Sequence, residues 1–251
     1  MSTTRDTLVH AFEALLQPAP FKDYGPNGLQ VEGRAQVRRL ISGVTASLAL
    51  IEAAIEVQAD AIFVHHGLFW RGQDGRVTGW MKQRLSRLLA HDINLIAYHL
   101  PLDAHPTLGN NAQLARVLDI ALEDGVRFGD QSLGFVGQRP AAPAEALAAH
   151  VEQALGRPVT LVAPPGHTVR RIGLCTGGAQ GYFEAAIAAG ADAFITGEIS
   201  EPQAHYAREC GVAYLACGHH ASERYGAPAV AAHVASALGL EHRFIDIPNP
   251  A

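Results

Sequence analysis

The sequence is poor in features that mark several common protein classes. It has three cysteines in 251 residues, Cys175, Cys210 and Cys217, and no two of them have a CxxC spacing. An odd number without that spacing argues against both a disulfide framework and a thiolate zinc site. We therefore predict three reduced thiols, most of them buried.

Positive charge and long apolar runs are also lacking. Charged residues make up 17% of the chain and the formal net charge is −5, so there is no basic surface to hold a polyanion, and bulk nucleic-acid binding is not expected. Asp192 and His233 interrupt the most apolar segments before the roughly 20 residues that a membrane span needs. The N-terminus has no basic stretch followed by an apolar one. We expect a cytoplasmic protein without a membrane span.

Apolar residues recur in the alternation typical of an α/β fold. Helical spacing covers residues 5–16, and strand-like runs at 40–44, 61–64 and 93–98 are separated by helix-like segments. A further helix, 144–155, is expected to stop at Gly156. This alternation predicts a largely parallel sheet with helices on its faces.

The second half of the sequence repeats the first. Val37-Arg38-Arg39 matches Val169-Arg170-Arg171, and Ala59-Asp60-Ala61 matches Ala191-Asp192-Ala193 at the same offset of 132 residues. Two copies of one α/β unit are the simplest explanation.

A segment rich in glycine, proline and polar residues, 123–143, separates the two copies. We predict a first unit over residues 1–125 and a second over 126–251, with the final segment able to pack back on the first unit.

Histidine is abundant, with 13 residues, and it is clustered. His65 and His66 are at the C-terminal end of a predicted strand, the edge where α/β folds bind ligands. Because successive side chains of a strand point to opposite faces, the two imidazoles are expected to serve different ions of a metal pair. The alternative is one core histidine beside one surface histidine.

Two further groups of histidine and carboxylate follow predicted strands. One contains His99 and Asp103; the other contains His219 and Glu223, which lie four residues apart and share one face if a helix begins there. Taken singly, Asp103 could cap a turn and Glu223 could be a solvated acid at a helix start. Their recurrence after the strand ends of matched units favours one shared site.

The predicted ligand set has imidazoles and carboxylates but no thiolate, which suits Zn²⁺, Fe²⁺, Mn²⁺ or Ni²⁺. Five ligands exceed what one catalytic ion with an open position needs, but they fit two ions about 3.5–4 Å apart. Glu223 is the predicted bridge, and His99 is predicted to orient a ligand or the attacking water. The predicted metal ligands are His65, His66, Asp103, His219 and Glu223, and the predicted catalytic residues are His99 and Glu223.

Weaker signals surround this set. The glycine turn at Gly177 could hold a phosphate but is typical of a structural turn, and Glu198, which matches His66 across the repeat, could line a cleft. Arg71, Lys82 and Arg224 are further candidate phosphate donors.

Four segments complete the pattern: Tyr24-Gly-Pro-Asn-Gly-Leu-Gln-Val-Glu-Gly33, Leu108-Gly-Asn-Asn111, Asp192-Ala-Phe-Ile-Thr-Gly-Glu198 and Phe244-Ile-Asp-Ile-Pro-Asn-Pro-Ala251. With the histidine motifs, they make the whole chain resemble the YbgI-like proteins. That family is also described as dinuclear metal centre hexameric proteins, or GTP cyclohydrolase I type 2-like.

The resemblance implies two related three-layer α/β/α units, a toroidal homohexamer built as a trimer of dimers, and two divalent ions per subunit on the five residues named above. It also implies a hydrolase in which a metal-bound hydroxide attacks a cyclic C–N bond of a nucleotide or related small molecule. The alternative is a non-catalytic protein that stores or delivers metal, or serves as an interaction platform.

Overall fold

The computed structural model describes residues 2–251, in which helices and strands alternate as predicted. The helices are α1 (Arg5–Leu16), α2 (Leu48–Glu56), α3 (Gly79–Ala90), α4 (Leu100–Ala104), α5 (Asn110–Val117), α6 (Ala144–Leu155), α7 (Phe183–Ala188), α8 (Glu201–Cys210), α9 (His219–Glu223) and α10 (Gly226–Leu238). The strands are β1 (Thr3–Thr4), β2 (Gly28–Val31), β3 (Gln36–Val37), β4 (Arg39–Thr45), β5 (Ala61–His66), β6 (Asn94–Ala97), β7 (Ala121–Phe128), β8 (Gly134–Pro143), β9 (Thr160–Val162), β10 (Thr168–Leu174), β11 (Ala193–Thr196), β12 (Ala213–Ala216) and β13 (Glu241–Phe244).

Local signals fix several helix ends where the sequence predicts them. The Thr4 hydroxyl accepts the N–H of Thr7 at 3.1 Å and caps α1. Gly156 ends α6 in the left-handed conformation, with φ of 69°, which glycine adopts without strain. Among the described residues, no helix is both long and apolar enough to cross a bilayer.

Backbone contacts divide the chain into two compact units: residues 1–102 with 227–248, and residues 103–226 with 249–251. The sequence instead assigns residues 103–125 to the first unit. They fall with the second because Leu114 and Leu118 pack in one core with Leu147 and Val151 of α6.

The first unit has a five-stranded sheet in the order β13-β4-β5-β6-β2. β13, β4, β5 and β6 are parallel, and β2 is the antiparallel edge strand. Phe12 of α1 stacks on Phe63 of β5 with ring centroids 4.3 Å apart, whereas the neighbouring Ile62 packs with Leu50 of α2 and Leu88 of α3. Alternate residues of β5 therefore contact helices on opposite faces, which gives three layers.

The second unit has a six-stranded sheet in the order β7-β8-β10-β11-β12-β9. Phe194 of β11 stacks on Phe183 of α7, with ring centroids 5.8 Å apart. The neighbouring Ile195 packs in the core that contains Val151 of α6 and Leu114 of α5. The same three-layer arrangement follows, and the predicted α/β class is confirmed in both units.

The internal repeat is visible in matching backbone contacts. Asp60 accepts the N–H groups of Arg38 and Arg39 at 2.8 and 2.9 Å. Asp192 accepts those of Arg170 and Arg171 at 3.0 and 2.8 Å. In the first copy the side chain of Arg39 also donates to the carbonyl of Val57, at the end of α2. In the second copy the side chain of Arg171 donates to the carbonyl of Ala189, at the end of α7. The Arg-Arg and Asp motifs therefore recur because they join the same two strands in both units.

Candidate functional site

Three imidazoles of the first unit meet at the carboxyl end of its parallel strands. His65 and His66 are the last two residues of β5, and His99 follows β6. The ring of His65 lies 4.4 Å from that of His66 and 4.9 Å from that of His99. One nitrogen from each ring lies within 4.8 Å of the other two. The three imidazoles can therefore serve one ion or two adjacent ions.

His65 and His66 depart from the strand alternation that the sequence predicts. Their rings lie side by side, although neighbouring side chains within a strand point to opposite faces. The two rings are therefore close enough to bind the same ion.

A hydrogen bond to Nδ1 orients each of the three rings. The partners are the carbonyl oxygen of Tyr98 at 3.2 Å from His65, Thr45 Oγ1 at 3.1 Å from His66, and Asp23 Oδ1 at 2.7 Å from His99. A carbonyl or a carboxylate only accepts, so His65 and His99 carry a proton on Nδ1. Nε2 is then the nitrogen available to a metal, which is the arrangement usual for ligating histidines.

Asp23 is a site residue that the sequence analysis missed. Its side chain is 4% exposed. Burial alone would raise the pKa of this carboxyl group, but hydrogen bonds from His99, Asn27 and Tyr24 and the charge of His99 outweigh it and lower the pKa below its ordinary value. Its only sequence signal is its position just before the Tyr24–Gly33 motif.

Two carboxylates and an imidazole gather in the second unit. His219 and Glu223 lie on one face of α9, and His219 Nε2 is 3.1 Å from Glu223 Oε2. A carboxylate oxygen of Asp103 lies within 4.8 Å of one of Glu223, and the two residues are only 7% and 3% exposed. Buried carboxylates this close repel each other unless a cation or a proton compensates.

Two buried asparagines and a threonine hold Asp103 in place. Asn110 Nδ2 donates to Asp103 Oδ1 at 2.8 Å, and Thr176 Oγ1 donates to the same oxygen at 3.3 Å. Asn111 Nδ2 donates to the Asp103 carbonyl at 3.1 Å. The Leu108–Asn111 motif thus holds Asp103, a predicted ligand, through both its side chain and its backbone, and Asp103 is buried.

Glu198 contacts a predicted ligand. Its Oε1 lies 2.6 Å from His219 Nδ1, and Gln180 Nε2 donates to its other oxygen at 3.2 Å. The hydrogen bond with Glu223, with a smaller contribution from Glu198, raises the pKa of His219 to about 9 against the opposing effect of burial. Glu198 therefore directs Nε2 of His219 towards Glu223.

The glycine turn at Gly177 packs against Glu223. Its φ is +69°, and a Cβ there would lie 2.0 Å from Glu223 Oε1. The turn lets the chain pass beside a buried carboxylate, which would repel a phosphate. The structure therefore favours a structural role for this turn over phosphate binding.

Two of the three candidate phosphate donors already hydrogen-bond to backbone carbonyls of their own units. Arg71 donates to the Asp23 carbonyl at 2.7 Å, and Arg224 donates to the Leu155 carbonyl at 3.2 Å. Lys82 is exposed on α3. Of these three, Arg71 contacts a residue that itself contacts His99.

The cysteine thiols are not among the candidate metal ligands. Cys175 and Cys217 are buried and Cys210 is exposed. Burial raises the pKa of Cys175, and it raises that of Cys217 to about 12, so both are protonated thiols at neutral pH. The prediction of mostly buried, reduced cysteines is confirmed, and the oxygen and nitrogen donors fit a borderline divalent ion.

The comparisons with known proteins decide the family. The family model for Duf34/NIF3 (NGG1p interacting factor 3) matches residues 3–250. The chain belongs to the DUF34/NIF3 family. Among its relatives are proteins named GTP cyclohydrolase 1 type 2 homolog in Pseudomonas aeruginosa, 52% identical over 254 residues, and in Neisseria meningitidis, 51% identical over 252 residues; each comparison covers 100% of both chains.

Solved structures of this family have the same fold. The protein ybgI, described as of unknown function, is 44% identical with a TM-score of 0.93, over 99% of this chain and 100% of that one. A protein of Thermus thermophilus is 34% identical with a TM-score of 0.89 over the same shares of the two chains. The resemblance to YbgI-like proteins is confirmed.

Proposed function

We propose that this DUF34/NIF3 protein is a two-metal hydrolase that acts in the cytoplasm on a cyclic C–N bond of a nucleotide or related small molecule. The observation that carries the proposal is the pair of buried carboxylates, Asp103 and Glu223, which lie within 4.8 Å of each other beside His219. Such a pair is stable only when a cation or a proton compensates its charge, and bound divalent ions would supply that compensation. The relatives named GTP cyclohydrolase 1 type 2 homolog support the choice of bond.

The residues that would hold the two ions are His65, His66, Asp103, His219 and Glu223. The Nδ1 contacts of His65 and His219 leave Nε2 as the metal-binding atom of each ring. When bound, ions suited to such donors, Zn²⁺, Fe²⁺, Mn²⁺ or Ni²⁺, supply Lewis-acid activation of water and of the scissile group. Asn110 and Thr176 hydrogen-bond to the Asp103 carboxylate and would hold it in place for such an ion.

His99 is proposed to move the proton. Its Nδ1 is held by Asp23 at 2.7 Å, so its Nε2 can accept a proton from the attacking water and return it to the leaving nitrogen. Proton transfer by a positioned side chain typically contributes roughly 10²–10⁴-fold to a rate.

Loading should give close to two transition-metal ions per chain, since five nitrogen and oxygen ligands exceed the need of one open ion. The protein is purified without chelator, reloaded with Zn²⁺, Mn²⁺ or Fe²⁺, and analysed for metal. It is then incubated with purine and pterin nucleotides, and formate release from GTP is measured. One ion or none would contradict the metal assignment; two ions without turnover would favour the alternative of metal storage or delivery.

We also propose a homohexamer, built as a trimer of dimers, on the basis of the family resemblance. Sedimentation at micromolar concentration should give a mass near six chains. A monomer at that concentration would refute this assembly, and it would leave the metal assignment untouched.

A further inference from the structure

A cavity of about 650 Å³ in the first unit lies at the amino-terminal ends of its parallel strands. Its lining includes Arg39, which begins β4, and Asp60 and Ile93, which directly precede β5 and β6. The imidazoles of His65 and His99 lie instead at the carboxyl ends of β5 and β6. Because β5 has six residues and each residue of a strand advances the chain by about 3.3 Å, the two ends are roughly 17 Å apart. The cavity is therefore distinct from the candidate metal centre.

Positive charge dominates the lining of this cavity. Arg34, Arg38 and Arg39 line it, and Asp60 is the only acid among the lining residues that the structure describes. Three arginines against one acid leave an excess of two positive charges, counted with histidine neutral, in a chain whose formal net charge is −5. Such a local cluster is too small for a nucleic acid but suits a small anion. We propose that this cavity binds a small molecule that carries a diphosphate group.

The fold already holds the guanidinium of Arg34 in place. Its Nη1 donates to Asp60 Oδ1 at 2.9 Å, and its Nε and Nη2 donate to the carbonyls of Asp92 and His91 at 3.2 and 2.8 Å. These bonds use one N–H of each nitrogen, so one N–H remains on Nη1 and one on Nη2. A guanidinium fixed in this way loses little conformational freedom when it binds an anion.

The other two arginines have more donors to offer. Nε of Arg39 donates to Glu241 at 2.9 Å and Nη1 donates to the Val57 carbonyl, which leaves both N–H groups of Nη2. The Arg38 backbone N–H donates to Asp60 at 2.8 Å. Its guanidinium makes no hydrogen bond or ion pair within residues 2–251. Arg38 can therefore close on an anion that the two fixed arginines already hold.

The second unit shows that the strand contacts of this motif do not need open arginines. Arg171, the counterpart of Arg39, donates through Nε and Nη2 to the two carboxylate oxygens of Glu123, each at 2.9 Å. At the same offset of 132 residues, the counterpart of Arg34 is Gly166. The shared fold thus requires neither Arg34 nor the free donors of Arg39, and a bound anion accounts for both.

The size and donor chemistry of the cavity favour a phosphate compound. The planar fork of an arginine matches two oxygens of one phosphate, and the excess of two positive charges matches a diphosphate group. A volume of about 650 Å³ lies within the range of sites for small organic ligands and exceeds the need of an inorganic ion. Ile55 and Ile93 add apolar lining, against which the organic part of such a ligand can pack.

Calorimetric titration of the full-length protein with pyrophosphate tests the proposal, with citrate as a carboxylate of similar charge. The wild type should bind pyrophosphate more tightly than citrate. Arg38→Gln should weaken pyrophosphate binding roughly 10–100-fold, because it removes charge-assisted hydrogen bonds. Its melting temperature should stay at the wild-type value, since the lost guanidinium has no partner within residues 2–251. Arg38→Lys, which keeps the charge without the fork, should recover only part of the affinity.

Arg170→Gln is the matched control, because Arg170 is the exposed counterpart of Arg38 in the second copy. It should bind pyrophosphate as the wild type does. The titration is repeated on protein treated with EDTA and dialysed, in which pyrophosphate has no metal ion to bind, and the affinity should be unchanged. Absence of pyrophosphate binding, equal binding of citrate, full affinity in Arg38→Gln, or loss of binding after EDTA treatment would each overturn the proposal. None of these results depends on whether the protein is a hydrolase.

Discussion

Replacing Glu223 by alanine should remove both metal ions from the chain, or nearly so. As the predicted bridge, its carboxylate neutralises charge on two cations at once, and its loss leaves their mutual repulsion less compensated. Glu223 is 3% exposed, so bulk water cannot easily take its place. Metal per chain, measured by elemental analysis after gel filtration, should fall from about two to near zero.

His99→Ala is the contrasting variant. We expect it to keep its ions and to lose activity roughly 10–100-fold, because His99 is assigned to proton transfer and not to metal binding. The contrast is informative because one nitrogen of His99 lies within 4.8 Å of a nitrogen of both His65 and His66. Proximity alone would also allow a ligand role.

Glu209→Ala provides the control, since Glu209 is an exposed carboxylate on α8 of the same unit. It should bind metal as the wild type does. Full occupancy in Glu223→Ala together with an empty His99→Ala would reverse the assignment of ligand and proton acceptor. Loss of a single ion from Glu223→Ala would show that Glu223 is a terminal ligand.

The parts of the site that sequence predicts are those tied to strand ends. His65 and His66 end β5, and α9 begins three residues after β12 with His219. Parallel strands bring their carboxyl ends to one edge, so a histidine placed there can be assigned from hydrophobic periodicity alone. The spacing of His219 and Glu223 likewise predicts a shared helical face, which the 3.1 Å contact confirms.

The parts that sequence does not predict depend on irregular backbone. Asp23 lies in a loop 76 residues before His99, and no periodicity relates a loop residue to a strand end. His242 shows the same limit: β13 pairs with β4, and His242 Nε2 lies 2.8 Å from Ser42 Oγ, a contact between residues 200 positions apart. Burial there lowers the pKa of His242. Such contacts are set by tertiary structure, which overrides local pattern.

Metal affinity should increase steeply with pH up to about 9. In the metal-free protein the pKa of His219 is raised to about 9, chiefly by the hydrogen bond with Glu223. The imidazole is therefore protonated at neutral pH, and an ion that binds Nε2 must displace that proton. Competition with one proton weakens the apparent affinity about tenfold per pH unit, or about 100-fold between pH 9 and pH 7.

The stability of the metal-free protein should change in the opposite direction. The folded-state pKa of His219 lies above its ordinary value of 6.5. The stabilisation of the folded state by protonated His219 is therefore fully present below pH 6.5, and it is lost as the pH rises through about 9. The loaded protein should instead gain stability over the same range as binding strengthens. Thermal unfolding of the two forms across this pH window measures both slopes.

Competition with a chromophoric chelator gives the affinity, and calorimetry in two buffers of different ionisation enthalpy counts the protons released. Glu198→Gln is the diagnostic variant, because it removes the second carboxylate from His219 while leaving the 3.1 Å contact with Glu223. The pKa of His219 should be lower in this variant, so the steep region should end at a lower pH. The zinc affinity is corrected for the chelator's own titration. If it then stays constant from pH 7 to 9, His219 does not lose a proton when the ion binds.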